Sequence, residues 1–171
     1  VSSVALVLVK KQGYEVIAAF MKVWEDSKTA SGTCAWKEER RDAMRVAAQC
    51  GVPFVTFDFE NEYRAHVASY LFAEYAVGRT PNPDVLCNDK VKFPLLWREA
   101  QKWGCDYIAT GHHVRKRKKN TSYELLSGKD QNKDQSYFLH RLTQEDLAHT
   151  LFPIGEYTKA EVRAIARTQS L

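Results

Sequence analysis

No run of apolar residues in this chain approaches the roughly 20 that a helix needs to cross a bilayer. The richest early run, residues 4–9, is short and is followed by Lys10 and Lys11. No basic leader precedes it and no small-residue cleavage site follows it, which argues against a secretory signal. An initiating Met is lacking; the chain starts on Val1, and the expectation is a missing N-terminus. The four cysteines, Cys34, Cys50, Cys87 and Cys105, form no CxxC pair and no Cys/His ligand spacing. A structural zinc site is therefore not expected. Internal repeats and low-complexity segments are absent too. The expected setting is cytoplasmic, with reduced thiols and no membrane association.

What is present is ordinary globular material. The 171 residues suit one domain, or one domain and the start of another. Apolar residues make up 44% and charged residues 27%, typical of a folded soluble domain. The net charge of +4 is too small to imply a nucleic-acid partner by itself. Its distribution says more, because Arg115, Lys116, Arg117, Lys118 and Lys119 are consecutive. Two readings stay open for that run: a solvated hairpin tip or a strip that contacts phosphates.

Helical and strand-like segments alternate along the chain. Residues 2–12 read as a helix closed by Gly13. Residues 15–21 read as a short strand, and 27–33 as a polar loop. Ala43, Val46, Ala47 and Cys50 recur at helical spacing before Gly51. A second strand is expected at 54–59, and a helix through Tyr63, Val67, Tyr70 and Leu71 ends near Gly78. A helix containing Leu95, Leu96, Ala100 and Trp103 precedes a third strand at 107–110, with Pro94 as an early helix residue. This rhythm predicts βαβ units and a mostly parallel sheet. Ligands of such sheets sit beyond the carboxyl ends of the strands, where Met21, Asp58, Gly111 and His112 fall. Beyond His112 the pattern predicts a hairpin of residues 114–117 and 123–126 around Asn120 and Thr121. A strand at 136–139 and two capping-box helices, from Thr143/Asp146 and Thr158/Glu161, complete the reading.

Three clusters carry chemistry. In GRTPNPDVLCN, residues 78–88, Pro81 and Pro83 stiffen a polar loop that displays Asn82 and Asp84. Cys87 closes it, with a helix expected to begin around Asn88. A thiol at a helix N-terminus, near Lys90 and Lys92, favours its thiolate; the alternative is a buried structural cysteine. Cys50 and Cys105 read as packing residues, and nothing near Cys34 argues for activation. Gly111 allows a ligand close to the backbone. His112 beside it either donates to a ligand or caps the strand. Lys133, Asp134 and Gln135 lie in the polar stretch GKDQNKDQ, whose default reading is a surface turn.

Together, GYEVIAAFMKVW, AEYAVGRTPNPDVLCN, DYIATGHHVR, NKDQSYFL and LFPIGEYTKAEVRAIA resemble the tRNA-specific 2-thiouridylases, the MnmA/TrmU family. The matches keep the family's order and span nearly the whole chain. The resemblance implies an α/β, Rossmann-like PP-loop (adenine nucleotide α-hydrolase-like) domain over residues 1–142. Residues 143–171 would then be the helical start of the following region. It implies ATP as substrate with Mg²⁺ alongside, tRNA as partner, and a persulfide sulfur-donor protein. The activity implied is adenylation of the wobble uridine 2-oxygen followed by its replacement with sulfur. By position, Cys87 is similar to the family's nucleophile, and Asn82, Pro83 and Asp84 to its target-base loop. His112, Lys133, Asp134 and Gln135 resemble its tRNA contacts, and Ser2, Met21 and Gly111 its ATP-site positions. No metal-binding residue is assigned.

Two departures qualify the resemblance. Of the family's SGGVDSS phosphate loop only Ser2 and Ser3 have counterparts here, so weak ATP binding is expected of this chain. The family's persulfide-bearing cysteine has no counterpart in it. Two other readings are an inactive tRNA-binding fragment and another PP-loop ATP pyrophosphatase.

Overall fold

The structure is a computed structural model that describes residues 1–23 and 35–171. The expected polar loop 27–33 and Cys34 lie outside the described residues. In chain order the elements are α1 (Ser2–Lys11), β1 (Ala18–Lys22), α2 (Ala35–Cys50), β2 (Phe54–Asp58) and α3 (Glu60–Tyr63). A π-helical turn (Arg64–Ala68) leads into α4 (Ser69–Ala76), and α5 (Pro83–Leu86) leads into a second π-helical segment (Cys87–Lys92). Then come α6 (Phe93–Lys102), β3 (Ile108–Ala109), β4 (Val114–Lys119), β5 (Ser122–Ser127), a 3₁₀ turn (Ser136–Phe138), α7 (Gln144–Ala148), β6 (Thr150–Leu151) and α8 (Lys159–Thr168). The α/β expectation holds. β1 pairs with β2 in parallel, β3 with β6 in parallel, and β4 with β5 antiparallel.

The chain forms two compact units, Val1–Glu15 with Phe93–Leu171, and Val16–Lys92. Residues 143–171, expected to open a following region, belong to the first of these. Its core has two parts. Phe93, Ala100, Ile108, Val114 and Leu139 are buried together, with Cys105 packed against them as expected of a packing thiol. Val4, Ala5, Ile154 and Val162 join α1 to α8. α1 ends where expected: Gly13 takes a φ of +90°, which a side chain would resist. Thr143 and Thr158 both form full capping boxes, with Asp146 and Glu161.

Local polar chemistry overrides the pattern at residues 136–139. The alternation there predicts a strand, but Ser136–Phe138 is a 3₁₀ turn. Asp134 explains it: one carboxylate oxygen accepts from Ser136 N–H at 3.2 Å and the other from Ser136 Oγ at 2.7 Å. A side chain that captures the next turn's donors competes with extension.

The hairpin forms as expected, with Asn120 left-handed at φ +53°, a conformation Asn tolerates. Its cations are largely engaged within this unit. Arg117 and Lys119 both pair with Glu124, Arg115 reaches the Ser127 carbonyl and Glu156, and Lys116 donates to the Leu147 carbonyl over the Tyr123 ring. These partners favour the solvated-hairpin reading of the basic run.

In the other unit, β1 and β2 run from Ala18↔Phe54 to Lys22↔Asp58. Met21 and Asp58 reach the carboxyl ends of this pair, as expected. Lys22 is held there by Asp58 at 3.2 Å and Glu60 at 2.9 Å. Val67, Ala68, Cys87 and Val91 are the buried apolar side chains of the two π-helical segments.

Main-chain crowding in the first unit gives a direct test. A Cβ on Gly155 would stand inside the carbonyl of Val114, and one on Gly128 inside the carbonyl of His113. Gly155→Ala should destabilise the fold by about 3 kcal/mol or more. Gly104→Ala, with open space but φ +71°, should cost only about 1 kcal/mol. Urea unfolding of the two variants measures the difference; equal losses would show that the crowding is not real.

Candidate functional site

In the first unit, the sequence-predicted positions Ser2 and Gly111 come together. A Cβ on Gly111 would meet Ser2 Oγ at 3.0 Å, its N at 3.1 Å and its Cα at 3.2 Å. Gly111 therefore lets the end of the β3 segment lie against the first turn of α1. That turn has no acidic residue, and Val1 at the N-cap supplies no side-chain acceptor. The amides of that turn carry the positive end of the helix dipole.

Beside this junction lies a cleft of about 400 Å³, lined by Gly111, His113, residues 132–135 and Lys159 among others. That volume falls within the range of small-ligand sites. Lys133, Asp134 and Gln135 all line it, but they differ in what they do. Asp134 accepts from Gly128 N–H at 2.9 Å as well as from Ser136. Burial pushes its carboxyl up, yet the hydrogen bonds from Ser136 and Gly128 outweigh this and hold it below the usual carboxylate range. Gln135 is clamped to His113: Gln135 Oε1 accepts from His113 N–H at 3.0 Å, and Gln135 N–H donates to the His113 carbonyl at 3.2 Å. Lys133 is exposed. The trio is thus one cation on a wall built by an Asp and a Gln.

His112 is half-buried, with Nδ1 2.9 Å from Thr110 Oγ1 and its ring stacked on Phe93 at 5.6 Å. Its neighbour His113 is the residue that sequence reasoning missed. It is 4% exposed, and neither ring nitrogen makes a hydrogen bond of normal geometry. Burial and then Lys159 lower its pKa, against Asp130 and the Tyr157 backbone, which favour the charged ring. Lys159 was also missed. It opens α8, and its N–H donates to Asp130 Oδ2 at 2.8 Å.

The other unit carries Met21, Asn82, Pro83, Asp84 and Cys87. Met21 is half-buried opposite Phe57 in the parallel pair. Asn82 is the N-cap of α5: its Oδ1 accepts from Asp84 N–H at 3.1 Å and Val85 N–H at 3.4 Å, and Pro83 occupies the first turn. Asn82 and Asp84 are exposed. This moves the helix start from the expected Asn88 to Pro83. Cys87 is therefore a full turn into helical backbone, beyond the reach of the terminal dipole.

The expectation of a favoured thiolate is corrected accordingly. Cys87 is 5% exposed. Burial pushes its thiol up; Lys92 pulls it down, Asp84 adds to the rise, and the balance stays above the ordinary value. Tyr63 shares this environment, its phenol raised by burial and then by Cys87 and Asp84. Among the described residues, no three His, Cys, Asp or Glu side chains gather as metal ligands.

A masked thiol has a kinetic signature. Iodoacetamide should alkylate Cys87 more slowly than an exposed cysteine at pH 8. The rate should still be climbing above the ordinary thiol pKa of about 8.5. Peptide mapping of the alkylated protein measures this, and rapid modification below pH 7 would contradict the buried, protonated thiol.

The family described as "tRNA methyl transferase HUP domain" matches residues 1–171. A protein of Christiangramia forsetii named tRNA-specific 2-thiouridylase MnmA is 53% identical over 99% of this chain and 44% of its own length. One of Geobacillus kaustophilus, named tRNA-specific 2-thiouridylase MnmA 1, is 50% identical over 99% of the chain and 46% of its own length. A third, from Staphylococcus epidermidis and also named tRNA-specific 2-thiouridylase MnmA, is 47% identical over 99% and 46%. The chain thus spans less than half the length of these relatives. Matched from its first residue to its last, the chain belongs to the tRNA methyl transferase HUP-domain family.

Proposed function

We propose that the protein is the nucleotide-binding part of a tRNA-uridine 2-sulfurtransferase, which uses ATP to thiolate the wobble uridine. The observation that carries this reading is identity of about half the residues, along essentially the whole chain, to proteins named for that activity. The cleft beside Gly111 supports it physically. A helix N-terminus, a glycine that permits close approach and two lysines suit a polyphosphate.

In this reading, Ser2, Gly111 and Met21 contact ATP, with Mg²⁺ arriving on the phosphates. The uridine 2-oxygen attacks the α-phosphate, pyrophosphate leaves, and the oxygen becomes part of an adenylate. The outer sulfur of the donor protein's persulfide then attacks C2 and AMP departs with the oxygen. Cys87 is the nucleophile that next attacks the donor's inner sulfur: the S–S bond breaks, the 2-thiouridine is released, and a disulfide between Cys87 and the donor remains for a cellular thiol reductant to reopen. Asn82, Pro83 and Asp84 hold the target base; their capped, proline-stiffened turn costs little further ordering on binding. His112, Lys133, Asp134 and Gln135 contact tRNA, the last two from positions fixed by their bonds to Ser136 and His113. The cytoplasm is the proposed setting. No helix among the described residues is long and apolar enough to cross a membrane.

The family description names methyl transfer and the relatives' names specify thiolation, and one experiment separates the two. The complete protein, given ATP, a persulfide donor and unmodified tRNA, should produce 2-thiouridine, detected by nucleoside mass spectrometry. Cys87→Ser should reduce that product at least about 1,000-fold, the scale expected for loss of a covalent nucleophile. Undiminished thiolation by the variant would remove Cys87 from the mechanism, and a methylated product would overturn the reading.

A further inference from the structure

His113 is a buried polar side chain whose ring nitrogens make no hydrogen bond of normal geometry among the described residues. Its backbone is fixed on both sides by Gln135, and Gly128 presses on its carbonyl. The ring is buried, and the residue as a whole lines the cleft. A buried imidazole with both nitrogens poorly bonded costs free energy that a ligand can return.

The charges around it come from two directions. α8 contributes Lys159, and the segment after β5 contributes Asp130, Lys133 and Asp134. Asp130 is bound to the Lys159 N–H, and Asp134 to Gly128 and Ser136, so both carboxylates already serve as acceptors. The cations Lys133 and Lys159 line the same cleft. Both carboxylates stay charged, but their oxygens are taken up by these donors, which leaves the ammonium groups of Lys133 and Lys159 to meet an incoming anion.

We propose that Lys159 and His113 are direct ligands of the nucleotide phosphates, His113 taking a proton from solvent as the phosphates enter. This rests on the nucleotide reading of the cleft and adds two residues to it. The neutral ring becomes an imidazolium that donates to a phosphate oxygen, and the Lys159 ammonium donates to another. The linkage has a definite sign. The free ring is kept neutral by burial and by Lys159, and a bound anion raises its proton affinity. Binding therefore takes up protons, and affinity falls as pH rises past the free imidazole range.

Titration calorimetry of ATP into the complete protein, in buffers of different ionisation enthalpy, reads both terms. The wild type should take up more proton than His113→Gln, since the protonation of ATP itself is common to both. Lys159→Met should weaken ATP about tenfold or more, with Lys159→Arg recovering most of the loss. Should His113→Gln not fold, the ring resonances of His113 in the wild type give the same answer by shifting to the imidazolium on ATP addition. A ring that stays neutral, or Lys159→Met binding ATP as the wild type does, would overturn the proposal while leaving the nucleotide site in place. A wild type that does not bind ATP would instead remove the reading on which it rests.

Discussion

Close main-chain approach around residues 111–114 is the constraint on which the first unit depends. Gly111 admits the first turn of α1, Gly128 presses against the His113 carbonyl, and Gly155 presses against Val114. Side chains at these positions would hold the segments apart. With them absent, β3, the start of β4, the loop before the 3₁₀ turn and the chain leading to α8 converge. The lysines of the cleft and the first turn of α1 are thereby brought toward one place. The cost is a buried imidazole in His113, whose ring has little to bond to in the resting structure. Such misfits are expected where a fold serves a ligand as well as its own stability.

The second unit applies a different strategy to its cysteine. The turn before Cys87 is rigid and exposed, but the sulfur itself is covered. Burial keeps the thiol protonated and protected from adventitious oxidation. If this sulfur attacks a disulfide and the exposed Asn82–Asp84 face receives tRNA, as proposed, some of that protection must be lifted on binding. Lys92 is then the group that lowers the thiol against burial and Asp84. Both π-helical segments of this unit carry buried residues, and departures of this kind from α-helical register are frequent at functional sites.

Features set by neighbours in sequence were legible in advance. Both capping boxes, the hairpin turn at Asn120 and the closure of α1 at Gly13 depend on a few adjacent residues, and all form as read. The start of α5 was equally local. Asn followed by Pro is an N-cap and first-turn signal, and giving it more weight would have placed Cys87 inside the helix. The strand expected at 136–139 failed for a local reason as well, because the Asp134 carboxylate captures the following turn. His113 and Lys159 were not legible. They are 46 positions apart, and only the approach of α8 to the β4 segment gives them a common role. Gly128 and Gly155 stayed silent for the same reason, since a glycine that permits a distant contact looks like any other glycine.

The central claim is that close approach of Gly111 to the α1 N-terminus builds the nucleotide site. Gly111→Ala tests it most directly, because its Cβ would stand 3.0–3.2 Å from Ser2 and push the first turn of α1 outward. Equilibrium dialysis of ATP against the complete protein, at a temperature where the variant is folded, should show affinity reduced about tenfold. Unchanged ATP affinity in a variant that folds normally would contradict the account.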